Sequence, residues 1–236
     1  MKCYFCLLVL LLVALSSFAV AQTKPATITF TYDRPGLSVP HFIFEVDEAG
    51  HGRYQAEELL PVPAKFAQYT AESAITKPVV QHIDRPLELS RSTVESIFRA
   101  AHSLNSFNIV CAAKLKNIAN TGDKTLTYSG PDGTGSCAYN YSENKTIEAL
   151  TNTFLNIAFT LDQGRKMDFD HRYDRLGLDE DMAQLMQAVE EKRALELGTI
   201  AETLTSLIDD TAVMQRVRQR AATLLEQAKQ TMQAAN

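Results

Sequence analysis

Thr27-Ile28-Thr29-Phe30-Thr31-Tyr32 puts Ile28, Phe30 and Tyr32 on one side of the chain and threonines on the other, the period-two pattern of a half-buried strand. Asp33-Arg34-Pro35-Gly36 then supplies turn chemistry, since proline fixes φ and glycine tolerates positive φ. His41–Val46 reads as a second strand, ended by Asp47-Glu48-Ala49-Gly50. Residues 55–88 are less regular and predict loops with one edge strand. A helix is predicted from Ser92, where Ser92-Thr93-Val94-Glu95 fits a capping box and Val94, Ile97, Phe98, Ala101 and Leu104 mark one face.

The pattern then returns to strands. Ile109, Cys111, Ala113 and Leu115 alternate, Asn120-Thr121-Gly122-Asp123 turns into "KTLTYSG", and Pro131-Asp132-Gly133 turns again into "SCAYNYS". This predicts a three-stranded meander. A helix follows over about 145–161, with Ile147, Leu150, Phe154, Ile157, Ala158 and Leu161 at spacings of three and four. Beyond the polar stretch "DQGRKMDFDHRYDRLG", Asp179 is placed to cap a helix carrying Met182, Leu185, Met186 and Val189. The stripe resumes at Leu197, Ile200, Leu204 and Leu207, with Gly198 a weak point. Asp209-Asp210 is placed to cap a last helix with Val213, Val217, Ala221, Leu224, Leu225 and Ala228.

Together these elements predict an α+β protein: an antiparallel β-rich N-terminal part, a disulfide-linked three-stranded meander flanked by helices, and a C-terminal αα-hairpin. The expected divisions are a leader at 1–21, an α+β domain at 22–165, a polar loop at 166–178 and the helical hairpin at 179–236.

"YDRPGL" at 32–37 and "YDRLGL" at 173–178 differ at one position. The first follows a β-patterned run, the second precedes a helix, and their neighbours share nothing further. Each offers an Asp able to bond the backbone two residues on, then a Gly. Convergent turn chemistry is the expected explanation, against a shared role in one cleft.

The leader has the layout of a secretory signal: basic Lys2, an apolar run from Tyr4 to Leu15, and small residues ending Ala19-Val20-Ala21. The run is short for a spanning helix, so an exported protein, periplasmic or extracellular, is expected, with no membrane span after cleavage. Cys3 and Cys6 leave with the leader. Cys111 and Cys137 remain, an even pair that predicts a disulfide in an oxidising compartment, the rival being a catalytic thiol with its histidine. One of the 23 basic residues, Lys2, lies in the leader, which leaves 22 against 28 acidic side chains, a formal −6. Such a balance, without a basic block, excludes general nucleic-acid binding.

The densest polar cluster holds Asp168, Asp170, His171 and Asp174, plausible metal ligands. Read as a calcium loop from Asp168 it fails, since Tyr173 stands where the sharp turn demands glycine. The structural alternative is a loop whose Asp179, Glu180 and Asp181 favour the positive end of the following helix. The two Gly-containing segments "EVDEAGHGRY" and "SGPDGTGSCAY" predict hairpin turns rather than phosphate cradles. Five scattered histidines form no metal-binding or protease spacing. Tyr128, Tyr139 and Tyr141 on the meander could stack on sugars or peptides if exposed, or fill the core if buried. Asn140-Tyr141-Ser142 and Asn144-Lys145-Thr146 match the glycosylation sequon. Arg216, Arg218 and Arg220 face Glu190, Glu191, Glu196 and Glu202 in charge, which could fix the helical pairing or a homodimer.

The run "KNIANTGDKTLTYSGPDGTGSCAYNYSENKTIEALTNTFLNIAFTLDQGRKMDFDHRYDRLGLD" resembles exported bacterial proteins of uncharacterised function. The resemblance implies a bacterial, exported protein and brings no site residues, activity or cofactor. The expectation is a non-catalytic binding or envelope-associated protein, needing no cofactor and meeting a protein or glycan partner. The alternative is a hydrolase, metal-assisted or not, built on the 168–181 segment.

Overall fold

The computed structural model describes residues 24–60, 79–115 and 117–233. The leader, and with it the expected cleavage after Ala21, lies outside the described residues. Six antiparallel strands form one sheet in the order β4-β3-β2-β1-β5-β6. The strands are β1 (Thr27–Asp33), β2 (His41–Asp47), β3 (His51–Leu60), β4 (Val79–Glu88), β5 (Asp123–Gly130) and β6 (Gly133–Tyr139). The first four run as a meander; the chain then crosses by helix α1 (Arg91–Ser103) and adds the β5–β6 hairpin along the free side of β1. The protein is α+β, as the hydrophobic pattern predicts.

The alternation read at β1 continues across the sheet. Phe30 pairs with Phe44 on one side and Leu126 on the other, and Phe44 pairs with Tyr54, so one face is apolar. Helix α2 (Lys145–Tyr173) covers that face. Its Phe154 ring stacks on Phe30 at 4.8 Å and meets Phe44 at 5.6 Å, with the centroid spacing of favourable aromatic pairs. The other face carries Thr27, Thr29, Thr31, Thr125 and Thr127, all half-buried.

Three expectations need correction. Within 55–88 the described residues are all strand, the second part of β3 and the whole of β4, rather than loops with one edge strand, while 61–78 lies outside the described residues; the pairing of β3 with β4 supplies the order that their mixed composition hides. The described residues of 108–122 form no strand, so the meander has only β5 and β6 of its three expected members. The Cys111–Cys137 disulfide is present, with Cα atoms 5.7 Å apart, but it ties an irregular segment to β6. Finally, the expected polar loop at 166–178 is mostly helix, because α2 runs unbroken from Lys145 to Tyr173. Met167 supplies the reason, being fully buried and one of the side chains on which the C-terminal helices pack.

Helices α3 (Leu178–Glu190), α4 (Ala201–Asp209) and α5 (Gln215–Gln233) form a second apolar core with the end of α2. Gly198 does break the stripe, into a 3₁₀ turn at Leu197–Ile200, and α4 packs on α5 as the expected hairpin. Charge helps to fix the pairing, although the acid partner is Asp179 of α3: Arg216 reaches it at 2.6 Å and Arg220 at 3.2 Å. Gly164 of α2 lies against Ile200, where a Cβ would collide with the isoleucine side chain.

The capping box expected at Ser92 is replaced by a longer-range device. Ser90 is the N-cap of α1 and makes no side-chain bond to its own helix amides. Instead Glu196, from the second core, accepts from the Ser90 amide at 2.8 Å, the Ser90 hydroxyl at 2.6 Å and the Thr93 hydroxyl at 2.5 Å. Glu196 does so from a left-handed backbone conformation, φ 57° and ψ 51°.

Candidate functional site

The strongest candidate is a cleft at the end of the sheet beside the first turns of α2. Its position follows from strand register. Tyr32 of β1 pairs with Lys124 of β5, and Lys124 pairs with Tyr139 of β6, which sets three side chains in a row on the covered face. Lys124 is only 5% exposed. Its ammonium lies 5.6 Å from the Tyr32 ring centroid and 5.9 Å from that of Tyr139, within cation–π range.

Lys124 Nζ donates to the Gly122 carbonyl at 2.6 Å, the Asn140 carbonyl at 2.8 Å, the Thr121 hydroxyl at 3.0 Å and the Thr121 carbonyl at 3.2 Å. Every acceptor is neutral. Burial, with the nearby Arg34 charge, pulls the lysine pKa down to about 8 despite the opposing influence of Asp123. Gly122 has φ 95°, and a Cβ there would fall 2.6 Å from the Tyr32 ring, so both the turn and the close approach require glycine.

The remaining walls are polar. Tyr139 donates to the Thr151 hydroxyl at 2.6 Å, since Thr151 spends its own proton on the Ile147 carbonyl. Burial pushes the Tyr139 phenol up to about 12, so it stays neutral. Arg34, Tyr141, Asn152 and Glu148 complete a cleft of about 310 Å³. Three other clefts, of about 450 Å³ beside Glu196, about 430 Å³ between α1 and α2 and about 520 Å³ at Arg216, are larger but lack a buried cation or an aromatic wall.

The predicted tyrosines divide. Tyr141 is 42% exposed at the rim, Tyr139 is a buried wall, and Tyr128 lies elsewhere, fully buried, with its hydroxyl 2.5 Å from Asp132 in the β5–β6 turn. Burial, and then that bond, raise the Tyr128 phenol to about 12. Both sequons serve the fold. Asn140 accepts from the Thr121 amide at 2.8 Å and donates to the Ala119 carbonyl at 3.0 Å, while Asn144 caps α2 through the Thr146 amide at 2.9 Å. Lys124 and Arg34 were not singled out by sequence. The available signal was phase: Lys124, Leu126 and Tyr128 share one side of β5, so a lysine occupies an inward position.

The Asp/His segment is helical and its members diverge. His171 pairs with Asp210 at 2.9 Å, joined by Arg175 at 3.3 Å. Asp170 faces Asp181, which is 1% exposed and ion-paired to Lys166. Burial and the Asp181 carboxylate raise Asp170 to about 6. Asp174 receives the Gly177 amide at 3.3 Å, which closes the turn after α2. Among the described residues no group of three or more His, Cys, Asp or Glu side chains could hold a metal ion, so the proposed four-residue metal set is not assembled. The segment also presents Phe169 and Tyr173, exposed and with tilted rings whose centroids lie 4.8 Å apart.

The paired YDR segments play opposite parts. Tyr32 is core and Leu37 exposed, whereas Tyr173 is exposed and Leu178 core; Asp33 binds His41 at 2.6 Å, whereas Asp174 closes its own turn. The expected bond from the Asp carboxylate to the backbone forms at Asp174 alone, so the two segments share turn composition and not a common turn bond. No family model and no curated protein matches the chain.

Proposed function

We propose that the protein is an exported, non-catalytic binding protein that holds a small polar ligand in the cleft between the β1–β5–β6 row and α2. The carrying observation is a preformed pocket with an aromatic wall and rim whose inner hydrogen bonds are already made. Such a site can orient a ligand without supplying a base. Lys124 has its donors committed to four acceptors, and Tyr139 is held neutral. Export is supported by the leader pattern and by a disulfide of the kind oxidising compartments sustain. Among the described residues no helix is long and apolar enough to cross a membrane.

The test is amide chemical-shift mapping against a panel of mono- and disaccharides and short peptides. Shifts confined to residues 121–124, 139–142 and 148–155, lost in Tyr141→Ala, support the reading. Saturable shifts centred elsewhere refute it.

A second reading keeps a hydrolase on the 168–181 segment. The raised Asp170 carboxyl favours it, because a carboxyl protonated near neutrality can act as a general acid. Against it, the partner Asp181 is buried and neutralised by Lys166. Hydrolase activity that disappears in Asp170→Asn, with the fold intact, would favour this reading over the first.

A further inference from the structure

We infer that the cleft selects a carboxylate-bearing sugar, with Arg34 holding the carboxylate and Tyr141 stacking on the ring; this rests on the cleft being the binding site. The case begins with uncompensated charge. The Lys124 ammonium is buried against neutral acceptors only. Arg34 lines the same cleft, and its guanidinium makes no ion pair or hydrogen bond among the described residues. Two of the neighbouring acids are already paired, and the third, Asp123, offsets the Lys124 charge only in part. Asp33 is bound to His41 at 2.6 Å, and Glu148, on the cleft wall, is bound to Lys145 at 2.8 Å. Asp123 is exposed at the start of β5. Two cations therefore converge on one recess, and an anion entering it gains both fields.

The shape of the site narrows the anion. A guanidinium matches a planar carboxylate through two parallel N–H bonds. A guanidinium also pairs with phosphate, but the amides at the start of α2 that would give a phosphate further donors are already bound by Asn144. Tyr141 offers an exposed ring at the rim and Asn152 an amide with no partner among the described residues, the two contacts a hydroxylated ring uses. A volume of about 310 Å³ is at the small end for ligand sites and suits a single sugar-sized ligand.

Glucuronic acid and glucose form a matched pair, differing in a carboxylate against a hydroxymethyl group. Titration of the disulfide-bonded protein with each, at low and high salt, followed by chemical shifts, is the test. Glucuronate is expected to bind at least ~10-fold more tightly than glucose, the equivalent of about one charge-assisted bond. The preference should fall in high salt and vanish in Arg34→Gln, whereas Tyr141→Ala should weaken both sugars together. Equal affinities would overturn the anion inference and leave the cleft as a sugar site. Acetate or inorganic phosphate binding as tightly as glucuronate would overturn the sugar part. Peptides binding at the cleft while neither sugar shifts it would overturn the inference but keep the binding reading. Shifts centred away from the cleft for every probe would overturn both.

Discussion

Glu196 joins the two cores through the first turn of α1, and its removal should be costly. Its carboxylate accepts from the Ser90 amide, the Ser90 hydroxyl and the Thr93 hydroxyl, and Ser90 is buried. A hydrogen bond to a charged group contributes about 1.5–3 kcal/mol net, and a negative charge at a helix N-terminus adds about 0.3–1 kcal/mol. The three contacts share one carboxylate and water can partly replace it, so these contributions do not sum. We expect Glu196→Ala to lose about 2–4 kcal/mol. Glu196→Gln should lose roughly half as much, keeping one acceptor oxygen without the charge. The backbone supplies an internal control: at φ 57° a non-glycine residue pays about 1–2 kcal/mol that glycine does not. Glu196→Gly should therefore be milder than Glu196→Ala by about 1 kcal/mol, although it removes more side chain. Urea unfolding followed by far-UV circular dichroism reads these differences as midpoint shifts at constant slope. A Ser90→Ala/Glu196→Ala cycle should show coupling above about 1 kcal/mol. If Ala costs less than about 0.5 kcal/mol, or Gly costs more than Ala, the clamp is not what holds this helix end.

Three further outcomes are expected. Gly164→Ala should destabilise by about 1–3 kcal/mol, because the new methyl meets Ile200 between α2 and the 3₁₀ turn; thermal melting checks it, and a neutral result would mean that this contact relaxes freely. Removing the disulfide as the Cys111→Ser/Cys137→Ser pair should cost about 3.5 kcal/mol on the chain-entropy account for a separation of 26 residues, read by urea unfolding against the oxidised protein. Asp170 has a folded pKa of about 6, above the ordinary carboxylate value, so the folded state binds the extra proton. Stability therefore falls as pH rises from about 4 through 6, and the penalty is complete above that window. Asp170→Asn should gain about 1 kcal/mol at pH 7, a figure reduced for solvent screening at a partly exposed site, and nothing at pH 4; a variant less stable at pH 7 than wild type would refute the sign.

Periodicity by itself determined the class of the fold and several of its details. The strict alternation at Ile28, Phe30 and Tyr32 needs only local geometry to be read, and the same holds for the stripes of α1, the first turns of α2 and the last helices. Parity, with the oxidising compartment that the leader pattern led one to expect, was enough for Cys111 and Cys137. Where local signals mislead, a distant partner supplies the missing energy. β3 and β4 are ordered by pairing with one another along their whole length. The polar run after Leu161 stays helical because Met167 is needed in a core whose other members lie up to 61 positions onward, at Ala228. The N-terminus of α1 is satisfied from Glu196, and no window around Ser92 contains that residue. The cleft is of the same kind. Tyr32, Lys124 and Tyr139 are separated along the chain and become neighbours only through the β1–β5–β6 register. The sequence carried the residue types and the inward phase of Lys124. Only tertiary structure decided that its charge would be buried without an anionic partner, beside Arg34 from a different turn, because burial and convergence belong to the folded surface and not to any stretch of chain.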